Sequence, residues 1–238
     1  MNIKATIHAD GVMEIFKSLH KQAPIAIAVA LTRTGQIIKN NVLTEMKKVF
    51  DRPTPRTLNS LQLTPATKNN LIAQIWFKGT DGSGTHYLEP QVYGGPRKQK
   101  RSEIELRRAG ILFQSRTVPG RAARLNKYGN MSTGQIIQAL TAMRALRGLQ
   151  VHGYEKYALR KGTKNLFYAK PGGRLFRGIW ERTHQGLRPI LMFVPHVQYK
   201  KRLPYFEIAR RIYDQNFRAE FNKAFDQAVA TAHYKGKW

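Results

Sequence analysis

The 238-residue sequence predicts an α+β fold, an antiparallel sheet packed by long amphipathic helices and carrying a basic insertion. Three observations predict it. Two long stretches, one opening at Pro24 and one at Pro204, repeat apolar residues at helical spacing. Between them lie short runs rich in β-branched and aromatic residues, the composition that suits strands. Those runs are interrupted by a cation-rich segment, 97–131, whose turn residues break any long periodicity.

The elements follow in order. Residues 2–9 alternate, with Ile3, Ala5 and Ile7 on one face, and read as a short strand closed by Asp10-Gly11. Val12, Ile15, Phe16 and Leu19 then give a short helix up to Pro24. Pro24 opens the first long helix, because a missing N–H costs nothing in a first turn. Its inner stripe is Ile27, Leu31, Ile38, Val42, Met46 and Val49, and Ala26, Ala28, Ala30 and Gly35 allow a close neighbour. Pro53 and Pro55 end it. Leu61–Thr64 and Leu71–Phe77 read as strands, and Gly79-Thr80-Asp81-Gly82-Ser83-Gly84 as the flexible tip after them. Gly79, Asp81, Gly82 and Gly84 are therefore candidates for an assembly loop that orders against a partner. Tyr87–Tyr93 follows, and Gly94-Gly95-Pro96 turns the chain.

Ser102 to Ala109 predicts a helix stopped by Gly110, after which Val118-Pro119-Gly120 and Tyr128-Gly129-Asn130 look like an excursion or arm. Ser132 caps a helix through Ile136, Ile137, Leu140, Met143 and Leu146, and residues 148–165 read as loop. Leu166–Ala169, Leu175–Arg182 and Pro189–Val194 read as strands around Pro171-Gly172-Gly173. The last helix runs from Pro204 to about Ala232 on Ile208, Ile212, Phe217, Phe221, Phe225 and Val229. The strands on both sides of 97–165 are expected to share one sheet, making 1–238 a single structural domain with a basic arm at about 97–131.

Charge is the strongest compositional signal: 41 Lys+Arg against 14 Asp+Glu give +27. Such a field repels itself in a compact chain and is tolerated when an anionic partner offsets it, whether nucleic acid, an acidic protein surface or anionic lipid. Within 97–131, ten cations face Glu103 and Glu105, about +8 locally. Arg97, Lys98, Lys100, Arg101, Arg107, Arg108, Arg121, Arg124 and Lys127 are the candidate contacts to DNA or to an acidic neighbouring subunit. Arginine forks suit phosphate and carboxylate equally, and Tyr128 supplies a stacking surface. The bland alternative is a solvated charged face. No helix-turn-helix, zinc-finger or RNA-recognition signature points to base reading.

The sequence offers little to an enzyme. Seven histidines are scattered without metal-ligand spacing, and the chain has no cysteine for zinc, disulfides or nucleophilic attack. Glu103 and Glu105 point in different directions on a helix, so ion pairs to Arg107 and Arg108 are expected rather than a metal-dependent nuclease site. The glycine-rich run at 79–84 lacks the Gly-Lys-Ser/Thr ending of a phosphate loop. No catalytic residue, metal or cofactor is expected. The N-terminus lacks the pattern of a signal peptide and Ala23–Leu31 is too short to span a bilayer, so a soluble protein made in the cytoplasm is expected.

Several segments carry a family likeness. Ala30-Leu31-Thr32-Arg33-Thr34, Val49 to Leu61, Tyr87 to Gly95, Val118-Pro119-Gly120, Tyr128 to Ser132 and Pro204 to Ala209 together resemble prophage-encoded virion proteins of proteobacterial tailed phages. The helix-then-sheet layout is more distantly similar to the minor tail protein Z and tail-completion class. The resemblance implies a non-enzymatic virion protein at the neck or upper tail, a homo-oligomeric ring beside tail-tube or portal-adaptor proteins, without a membrane. The rival reading is a non-sequence-specific nucleic-acid-binding protein acting outside any ring.

Overall fold

In a computed structural model the described residues are 4–7, 23–79, 86–145 and 165–234. The fold class is α+β, and the chain divides into two compact units, 1–94 with 200–238, and 95–199.

The first unit is built on α1 (Ala23–Val49) and α6 (Tyr205–Tyr234) over an antiparallel sheet of β1 (Lys4–Ile7), β2 (Leu61–Thr64) and β3 (Ala73–Phe77), in the order β1-β3-β2. Pro24 does stand in the first turn of α1. Ile27, Leu31, Ile38, Val42 and Met46 are fully buried against Ile208, Ile212 and Phe217 of α6 and against Ile75 and Leu61 of the sheet. Period-two burial holds along β3, where Ala73, Ile75 and Phe77 point inward. Gly35 lies where α1 meets β2, and a Cβ there would stand 2.8 Å from a Leu63 methyl. The inner stripe of α6 holds to Phe217 and then shifts. Ala224 and Ala228 are buried beyond it, whereas Phe221 and Phe225 pack half-buried on its flank. Tyr87–Tyr93 ends in a short helix, α3 (Glu89–Tyr93), with Pro90 in its first turn; a second short helix, α2 (Pro55–Leu58), is capped by Thr54.

Tyr205 ties helix to sheet. Fully buried at the start of α6, its hydroxyl donates to the Ile75 carbonyl of β3 at 2.6 Å. Desolvation pushes this phenol above its ordinary range, so it stays protonated and a donor.

The second unit has its own sheet. β5 (Arg116–Pro119), β6 (Leu166–Ala169), β7 (Gly178–Thr183) and β8 (Gly186–Val194) pair antiparallel in the order β5-β8-β7-β6. α4 (Arg101–Arg108) and α5 (Thr133–Ala142) bring Leu106, Ala139 and Leu140 onto Ile179, Leu191 and Phe193 of that sheet. A two-residue ladder, β4 (Gly95–Pro96) with β9 (Gln198–Tyr199), joins the unit's first and last residues.

Two expectations are corrected here. The strands flanking 97–165 do not share a sheet, because β1–β3 and β5–β8 form separate ones. The segment 97–131 is not an arm off a single domain either. It supplies a helix, the edge strand β5 and, through Leu106 and Leu112, part of the core of the second unit. β5 has only four residues and ends at Pro119, which an edge position tolerates but an alternation pattern does not register. The expected helix at 12–19 lies outside the described residues, as do 148–164.

Candidate nucleic-acid interface

The basic segment begins with a residue spent on structure. Glu103, at the third position of α4, is wholly buried. Arg97 reaches it with both terminal nitrogens, at 2.5 and 2.8 Å, and also donates to the Thr117 carbonyl at 3.1 Å. The Thr117 N–H and hydroxyl donate to the same carboxylate at 2.6 and 3.0 Å, and the Lys100 N–H closes the first turn of the helix at 2.8 Å. Burial pushes the Glu103 carboxyl up, but the Arg97 fork and the Thr117 and Lys100 amides outweigh it and hold the group at about 2. Arg97, whose side chain is 12% exposed, is raised in turn by its bonds to Glu103.

This knot positions β5 on α4. It also bears on two readings: Glu103 pairs with Arg97 rather than Arg107, and Arg97 is a half-buried cation whose fork is engaged within the fold. Sequence spacing could not show the pairing, because Arg97 lies outside the helix. The helix itself starts earlier than Ser102, with Lys100 as its cap residue.

The other candidates sit on the surface. Arg101 and Arg107 are exposed on α4, and Arg107 Nε donates to the Phe113 carbonyl at 3.2 Å. Arg108 pairs with Glu105 at 2.9 Å as the i,i+3 spacing predicts, and stays 66% exposed. Arg121, Arg124 and Lys127 lie in the exposed stretch after β5; Arg124 extends to Gln138 at 3.4 Å and the Lys127 ammonium lies over the Tyr128 ring. Lys98 and Lys100 are exposed as well. In the assembly loop, Gly79 has φ +100, a conformation suited to glycine, and Asp81, Gly82 and Gly84 lie outside the described residues.

The charge is unevenly shared. Residues 95–199 hold 21 of the 41 Lys+Arg but four of the 14 Asp+Glu, a balance of +17 out of +27. Each of the three described acids there is already engaged: Glu103 by Arg97, Glu105 by Arg108, and Glu181 by Arg188 at 3.5 Å. The remaining cations therefore dominate the field outside the unit.

Among the described residues no three His, Asp or Glu gather to hold a metal, and no helix is long and apolar enough to cross a membrane. His86, the buried histidine of the first unit, stacks on Phe77 at 5.2 Å. An open groove of about 490 Å³ lies between α1 and residues 65–68, walled by Ile25, Val29 and Ala66. Compared with known families, curated proteins and solved structures, the chain matches none.

Proposed function

We propose that this protein is a structural component of a tailed-phage particle, a tail-completion or neck protein assembling as a ring whose basic unit faces the DNA channel. The observation that carries the reading is the +17 balance of residues 95–199, with each described acid already committed to an arginine. A surplus of that size is repulsive unless a polyanion lies against it, and a packaged genome is the largest polyanion such a particle holds. The family likeness in the sequence supplies the location, and neighbouring neck, tail-tube or portal-adaptor proteins supply the remaining partners. Backbone contact is what these cations suit. They lie on the exposed flank of α4 and in turns, and the sequence carries no helix-turn-helix, zinc-finger or RNA-recognition signature for base reading.

The test has two parts. Native mass spectrometry and electron microscopy of the purified protein, alone and with portal or tail proteins, should show closed rings. Duplex binding should ignore sequence and fall steeply with salt, and Arg101→Gln, Arg121→Gln and Arg124→Gln should each flatten the log–log slope by about 0.9. A protein that binds DNA tightly but stays monomeric with every virion partner favours the rival, a nucleic-acid-binding protein outside a ring. One that neither assembles nor binds DNA overturns both.

A further inference from the structure

The register of the second sheet collects two exposed aromatics at one end. Arg116 opens β5 opposite Val194, the last residue of β8, while Gly178 opens β7 opposite Met192 of β8 and Ala169, the last residue of β6. The segment before β5 and the hairpin between β6 and β7 therefore emerge at the same end, with β5 and β7 about 10 Å apart across β8. The first presents Phe113, 62% exposed; the second presents Phe176, 80% exposed.

Neither ring sits on a slack loop. The Phe113 carbonyl accepts from Arg107 Nε at 3.2 Å. The Phe176 carbonyl accepts from the Trp180 indole at 2.9 Å, and the next carbonyl, that of Arg177, accepts from the Phe193 N–H at 2.9 Å. In each case the ring's own carbonyl is held while its apolar side chain stays in water. Each ring is flanked by cations, Arg116 near the first and Arg174 and Arg177 around the second, and Arg177 Nε is enclosed without a hydrogen-bond partner among the described residues. Residues 106–145 and 165–180 contain no Asp or Glu.

We propose that this end of the sheet is a polynucleotide site, with Phe113 and Phe176 stacking on bases and Arg107, Arg116, Arg174 and Arg177 taking phosphates. Pre-fixed aromatics between cations suit unpaired bases, because every base offers a π-face and the charges follow the backbone. Charge complementarity selects the occupant: an apolar protein partner would not need the arginines, and an acidic one would not need the rings. The site rests on the reading that residues 95–199 face a polyanion, and it adds that strands with accessible bases bind there in preference to duplex.

Fluorescence anisotropy on the full chain tests it, with a labelled 20-mer of thymidine, a duplex of equal length, and polyphosphate as a competitor without bases. The unsubstituted protein should bind the single strand more tightly than the duplex. Phe176→Ala and Phe113→Ala should each lose about tenfold for the single strand, with the salt slope and polyphosphate competition unchanged. Phe176→Trp should keep the affinity and show quenching on binding. Arg174→Gln should lower the salt slope by about 0.7. Arg210→Gln, on α6 of the first unit, should leave the preference for single strand intact. Both rings are solvent-facing, so the alanine variants should melt with the parent. If they bind the single strand as the parent does, the site is wrong, even where other arginine changes still weaken binding and keep the polyanion reading. Absence of binding by the parent overturns both.

Discussion

Glu103 concentrates the energetics of the second unit in one side chain. Its carboxyl is held at about 2, below the ordinary value of 4.5, so folding is favoured by the charged form. That contribution is fully present above pH 4.5 and is lost as the pH falls towards 2, up to about 3 kcal/mol in all. Urea titrations of the parent between pH 6 and pH 2 should show this loss, and Glu103→Gln should be less stable at pH 6 and much flatter with pH. Removing the charge leaves Arg97 half-buried without its carboxylate partner, at a cost of about 3 kcal/mol. Tyr205 makes the same point with a neutral bond. Tyr205→Phe keeps the packing but removes the bond to the Ile75 carbonyl, so a loss of about 1 kcal/mol is expected in chemical denaturation. Neither role was legible in the sequence. Both depend on partners, Thr117 for one and Ile75 for the other, that only the strand register brings into reach.

Helices α4 and α5 end in the same way with different residues. After α4, Gly110 and Ile111 donate back to Arg107 and Leu106, with Gly110 at φ +72. After α5, Arg144 and Ala145 donate back to Thr141 and Leu140, with Arg144 at φ 54. Both are Schellman closures, and an arginine in the left-handed region carries a steric cost that glycine avoids. Arg144→Gly should therefore raise stability by about 1 kcal/mol, measured by thermal melting. The long helices were the most legible elements, since apolar spacing over 27 and 30 residues leaves little choice of period. Even so, small buried residues at Ala224 and Ala228 set the inward face of α6 more than Phe221 and Phe225 do. Phe217→Ala should cost about 3–5 kcal/mol and Phe221→Ala roughly half of that, measured by chemical denaturation. The strand β5 went unread because four residues ending in proline carry no usable alternation.

At the scale of the molecule, charge and fold divide along the same boundary. The second unit has its own sheet, its own apolar cluster and most of the net charge, so residues 95–199 expressed alone should fold cooperatively. Its surplus of +17 is self-repelling, and screening relieves that repulsion. The melting temperature of that fragment should rise between about 50 and 300 mM salt, a range over which the screening length falls through about 10 Å. A midpoint indifferent to salt would mean that the surface cations are already neutralised within the fold. Composition made the charge legible, but its concentration in one unit was hidden. The segment 97–131 looked like a decoration when its helix and strand are parts of a core.

The two-residue ladder between Gly95–Pro96 and Gln198–Tyr199 bears on the order in which the chain assembles. α1 and α6 come from opposite ends of the sequence, and an unfolded stretch of about 105 residues between Gly94 and Lys200 would make their meeting a long loop closure. Once the intervening unit has folded and its ends are clasped, the effective loop between α1 and α6 loses those residues and keeps only 50–94 and 200–204. The entropic barrier then falls by about 1 kcal/mol, on the logarithmic dependence of closure on length. Synthesis imposes the same sequence of events, because 95–199 emerges from the ribosome before α6 exists. The insertion thus acts as a folding splint, and opening the clasp with Pro96→Gly and Tyr199→Pro should slow refolding of the first unit more than it lowers its equilibrium stability.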